Sequence, residues 1–215
     1  MMAGGAFFDL TIDGKGAHGG RPENSVDPVL VASHITTALQ SIVSRNLKAT
    51  EPLVISITQI HSGDAYNVIP QSAVMRGTVR AFSNDTLGMA EKRMLEISQN
   101  VAAAFGASVT MDFQIKFLPL VNSEREAEFA ADTAAELVGE ENMDRNGALI
   151  MASEDFSYML EKCPGAYINI GNGGGHSDCE VHNPEYDFND NILALGASYY
   201  ARLVERWLVK KEAFN

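Results

Sequence analysis

The chain has 215 residues, of which 46% are hydrophobic and 20% charged. This is the composition of a folded protein large enough to bury its own core, and it excludes whole-chain disorder. Sixteen basic against 28 acidic residues give a net charge of −12, which argues against binding nucleic acid or an anionic membrane. No apolar run is long enough to span a bilayer, and no charged-then-apolar leader opens the chain. Two cysteines, Cys163 and Cys179, fit a reduced cytoplasmic setting in which neither is a redox partner.

Residues 6–13 alternate Phe8, Leu10 and Ile12 with polar neighbours, the period of a half-buried strand. A glycine-rich loop follows, Gly14-Lys15-Gly16-Ala17-His18-Gly19-Gly20-Arg21-Pro22. Asp27-Pro28 then opens a helix that reaches about Ser44, with Val31, Ile35, Leu39 and Ile42 on one side. Residues 53–60 are β-branched and alternating, residues 61–64 form a turn, and residues 68–82 read as a further strand with Pro70 near its start. Ser83 caps a long helix over 86–105 that Gly106 ends, and residues 109–120 make another strand. The order β-α-β-β-α-β over 6–118 predicts a ferredoxin-like domain, four antiparallel strands with two helices on one face.

Beyond 118 the pattern changes. Helices are expected over 123–137, 153–161 and 189–208, with a short strand at 166–171 and a loop over 172–190. One strand has no sheet to join, so 119–215 reads as a helix-rich piece of a larger α/β domain.

Five histidines and several acids could carry chemistry. His18, at a strand end among glycines, can shuttle a proton or donate to an oxyanion. His182 follows a glycine-rich stretch, and imidazole is the commonest neutral metal ligand; Glu180 and Asp187 could orient it. His176 and Cys179 lie nearby, but four spaced ligands for a structural zinc are not found. Adjacent Glu154 and Asp155 point apart and fit a charged first helical turn. Arg76 and Arg80 share one strand face, and a guanidinium there can hold a carboxylate; for Arg76 a solvated face is the better reading. His34 and His61 read as structural or exposed. No nucleophile elbow or phosphate-binding loop occurs.

Five strings in order resemble one known family. They are Gly14 to Pro22 with Asp27-Pro28, Tyr66-Asn67-Val68-Ile69-Pro70, Gly77-Thr78-Val79-Arg80, Ser153-Glu154-Asp155-Phe156, and His182-Asn183-Pro184-Glu185-Tyr186-Asp187-Phe188-Asn189-Asp190. The family is the aminoacylase, hippurate hydrolase and indole-acetyl-amino-acid hydrolase group of metal-dependent amidohydrolases and carboxypeptidases. The resemblance implies a lid or dimerisation domain over 6–118 and the C-terminal part of a catalytic domain over 119–215. It implies that His18 reaches into the partner subunit's site and polarises the scissile carbonyl. It implies that Asn67 and Arg80 grip substrate, Arg80 through its carboxylate. His182 would be a metal ligand, and Glu154 a second-shell or substrate-side group. Two divalent ions (zinc, manganese, cobalt or nickel), a homodimer and an N-acyl amino acid or small peptide substrate are further implications.

The family's His-x-Cys-Gly-His-Asp motif, its Glu-Glu general-base pair and a further ligand histidine are not found ahead of the lid, and Glu140-Glu141 follows it. This chain alone is therefore expected to be inactive. The competing expectation is a non-catalytic dimerisation or binding module, or a subunit completing a separately encoded catalytic half. An RNA-recognition domain shares the strand order but needs sheet-face aromatics and basic charge.

Overall fold

The computed structural model describes residues 1–173, 179 and 181–212, with side chains to residue 209. The chain forms two compact units, Met1–Val121 with Ala148–Met159, and Asn122–Gly147 with the chain from Leu160 onward.

The first unit is built on strands β1 (Gly4–Asp13), β2 (Ala17–His18), β3 (Leu53–His61), β4 (Val68–Ile69), β5 (Ser72–Ala81) and β6 (Ser108–Phe117), with helices α1 (Pro28–Ser41) and α2 (Asn84–Ala104). Four strands make one antiparallel sheet in the order β3-β5-β1-β6, the ferredoxin-like arrangement. Its alternation is clean: Phe8, Leu10 and Ile12 of β1 and Met75 and Val79 of β5 are buried against Val31, Ile35 and Leu39 of α1 and Leu87, Ala90 and Met94 of α2. Each such large side chain contributes about 1.5–3 kcal/mol when fully buried. The opposite face carries Phe7, Asp9, Arg76, Thr78 and Arg80 and is open.

Both helices start where their caps dictate. Asp27 Oδ1 accepts from Val29 N at 2.9 Å and from Leu30 N at 3.4 Å, with Pro28 at the first position. Ser83 Oγ accepts from Thr86 N at 3.1 Å, and α2 ends ahead of Gly106 at φ +80°. The helix expected to reach Ser44 stops at Ser41 and continues as one wider turn over Ile42–Asn46.

The single strand expected over 68–82 is two. Pro70 has no N–H to donate, so the ladder breaks there. Val68–Ile69 leaves the main sheet and pairs with Ala17–His18 instead. Gln71 ties the two pieces together, its Nε2 donating to Gly14 O at 2.6 Å and its Oε1 accepting from Gly16 N at 3.1 Å.

The second unit packs α3 (Glu124–Val138) against α5 (Leu193–Glu212). Phe129 meets Trp207 edge-on at 5.4 Å, and Arg206 bridges to Thr133 Oγ1 at 3.0 Å and Glu136 at 3.3 Å. Arg145 binds Glu140 and Asp132, and its hydrogen bond holds the Glu140 carboxyl below the usual range. Residues 166–171 are not a strand, and no strand occurs among the described residues of this unit. Tyr167 instead exchanges two hydrogen bonds with the Asn122 side chain, both 2.9 Å, so a side chain satisfies backbone that a ladder would otherwise pair.

The helix expected over 153–161 shrinks to α4 (Phe156–Leu160). Glu154 Oε1 accepts from Asp155 N at 2.9 Å, a local bond that competes with the first helical turn. The last helix is preceded by a tight turn over Asp190–Ile192 and begins at Leu193. Among the described residues no helix is long and apolar enough to cross a membrane.

Candidate functional site

His18 and Asn67 are brought together by the β2–β4 pair, with Gly19 N donating to Asn67 O at 2.7 Å. A Cβ at Gly19 would lie 3.1 Å from that carbonyl, so glycine permits the close approach. His18 is exposed, and its Nδ1 accepts from Gly20 N at 3.0 Å. In the neutral ring the proton therefore sits on Nε2, which is left as the ring's donor. Asn67 and Tyr66 are exposed beside it, Tyr66 completely.

Arg80 lies at the other end of the sheet. Gly5 pairs with Arg80, and Asp13, just before the His18 loop, pairs with Ser72. Eight rungs separate those pairs, about 27 Å at strand spacing. His18 and Arg80 of one chain therefore cannot touch one small substrate. Arg80 has no carboxylate partner among the described residues; it contacts Val79 O at 3.4 Å, and its Cζ lies 5.8 Å from the Phe7 ring centre. Burial without a counter-charge holds its guanidinium below the ordinary value. Arg76, on the same face, is neutralised by Asp9 at 2.8 Å. Glu154 is half-buried just ahead of α4.

His182 belongs to the second unit, exposed in a turn at φ +73°, a left-handed conformation uncommon outside glycine. Its surroundings are held by asparagines. Glu185 N donates to Asn183 Oδ1 at 2.9 Å, Asn189 N donates to Asn172 Oδ1 at 2.9 Å, and Asn189 Nδ2 donates to Asn172 O at 2.9 Å. Asn172→Ala should loosen this segment, raising hydrogen exchange at the Asn189 amide about fivefold, the worth of one such bond. Unchanged exchange would mean that the clamp does not hold the turn. Cys179 is half-buried and Asp187 exposed; His176 and Glu180 lie outside the described residues. Among the described residues no three His, Cys, Asp or Glu side chains converge as a metal cage, so these residues do not make a two-metal centre by themselves.

Residues 3–105 match the M20 peptidase dimerisation domain. The chain is 36% identical to hippurate hydrolase of Campylobacter jejuni over 97% of its own length and 54% of that protein. It is 34% identical to N-acetylcysteine deacetylase of Bacillus subtilis, over 94% of this chain and 52% of that one. The chain is similar to M20 peptidases over nearly its whole length. Among solved M20 structures, a dinuclear metal-binding peptidase of Bacillus subtilis superposes with a TM-score of 0.75 at 26% identity, covering 94% of this chain and 50% of its own. The chain thus spans about half the length of the curated relatives it matches.

Gln71 and Gly5 went unnoticed in the sequence, and Ser153 is read there only as part of the Ser153-Glu154-Asp155-Phe156 string, though each shapes the surroundings of a residue in the five strings. Gln71 carries no local signal, because its partners lie 55 and 57 positions away.

Proposed function

We propose that this chain is the dimerising and C-terminal part of a metal-dependent M20 hydrolase that cleaves the amide bond of N-acyl amino acids or related small peptides. The observation that carries the reading is the separation of His18 and Asn67 from Arg80. One set sits at each end of the sheet, so a complete site takes Arg80 from one chain and His18 with Asn67 from a second. His18 Nε2–H then donates to the carbonyl oxygen as charge builds on it, an effect worth about 3–4 kcal/mol for one donor. Asn67 adds an amide beside it, and Arg80 receives the substrate carboxylate in two-pronged fashion. The ions are divalent (zinc, manganese, cobalt or nickel), with His182 as one donor to them.

Among the described residues the outer edge of β3 is unpaired, which supports dimer formation. It ends the sheet, whereas the β6 edge has its Lys116 carbonyl taken by Tyr158 Oη at 3.2 Å. The test uses the purified 215-residue chain. It should sediment as a dimer at micromolar concentration and leave hippurate intact with added Mn²⁺ or Zn²⁺. A strict monomer would overturn the shared site, and robust turnover would overturn the view that this chain is only part of the active centre.

A further inference from the structure

The two arginines on the open sheet face differ in what stands across the ladder. Opposite Arg76 is Asp9, which neutralises it; opposite Arg80 is Gly5, which cannot. Glycine leaves room for something else. A Cβ at Gly5 would lie 2.2 Å from Arg80 Nη1 and 2.8 Å from Ser153 Oγ, so guanidinium and hydroxyl are near neighbours above a bare stretch of backbone. Ser153 Oγ is buried and has no hydrogen-bond partner among the described residues. An unpaired buried hydroxyl is costly, and one set beside a guanidinium is placed to donate to an acceptor bound there. A hydroxyl and a guanidinium, neither with a carboxylate partner among the described residues, therefore converge where the chain places no side chain on Gly5.

We propose that Ser153 and Arg80, meeting over Gly5, form one carboxylate-binding pair, with the Ser153 hydroxyl donating to an oxygen of the same carboxylate that the guanidinium holds. This rests on the hydrolase reading for the ligand, the free carboxylate of an N-acyl amino acid. Ser153 is then a substrate-binding residue that favours a carboxylate over a neutral amide at that position. A carboxylate accepts from both groups, whereas a carboxamide turns its own N–H donors toward one of them.

The test follows hippurate and its carboxamide counterpart binding to the full chain, read from the Arg80 Nε resonance and the Gly5 and Ser153 amides. Hippurate should shift these signals and the carboxamide should not. Ser153→Ala should weaken hippurate about tenfold to a hundredfold, one charge-assisted hydrogen bond. Its melting temperature should stay level or rise, because an unsatisfied polar atom has been removed. Ser153→Thr, which keeps the hydroxyl, should bind within about twofold of the parent. Arg80→Ala should abolish binding. If Ser153→Ala binds as tightly as the parent while Arg80→Ala does not bind, the pair is overturned and the Arg80 reading stands. If Arg80→Ala leaves binding unchanged, both fall.

Discussion

Two inactive copies should rescue each other. On the proposed function, in a longer hydrolase that includes this chain, His18→Ala and Arg80→Ala should each lower kcat/KM by at least about a hundredfold, since each would remove a group aimed at charge in the reaction. Mixed in equal amounts and allowed to exchange subunits, they should regain about a quarter of parent activity. Half of randomly assembled dimers are mixed. In each mixed dimer one site takes Arg80 from the first copy and His18 from the second, while the other site has neither. The separation of roughly 27 Å along the sheet makes this outcome specific. If one chain supplied both residues to one substrate, mixing would restore nothing. That result, with both variants still sedimenting as dimers, would remove the shared site.

The residues that made the fold legible are those whose signal is local. Asp27 and Ser83 cap their helices through their own side chains, and the alternation of Phe8, Leu10 and Ile12 reports a buried face directly. What could not be read depends on distant partners. Residues 166–171 look like a strand by composition, but a strand exists only where a neighbour pairs with it, and here the Asn122 side chain does so. The helix expected from Ser153 is shortened by a carboxylate folding back on the next N–H, a choice between two local bonds that periodicity does not rank. The site divides the same way. His18, Asn67, Arg80 and His182 lie in contiguous strings that name their family. Gly5 and Ser153 stand 148 positions apart; the bridge of Met2 to Ile150 brings the Ser153 segment to the start of β1, and the ladder register sets Gly5 opposite Arg80.

Two glycines on this sheet separate stability from binding. Gly77 faces the core on β5, beside an irregularity where the β3 register shifts between Ile57 and Gln59. A Cβ there would fall 2.0 Å from Ser56 O and 2.6 Å from the Phe8 ring. Neither can retreat: the first is backbone in the neighbouring strand, and the second is a ring only 1% exposed. Gly77→Ala should therefore cost about 3 kcal/mol, a large share of a typical domain's stability. In urea it should unfold at a lower midpoint with an unchanged slope. At Gly5 the nearest atoms belong to side chains, the Arg80 tip among them. Gly5→Ala should keep the urea midpoint close to the parent's while displacing the guanidinium, so its loss should appear in hippurate affinity. A Gly77→Ala protein as stable as the parent would contradict the packing of β3 on β5. A Gly5→Ala protein that binds hippurate normally would show that the Arg80 guanidinium does not need the space above Gly5.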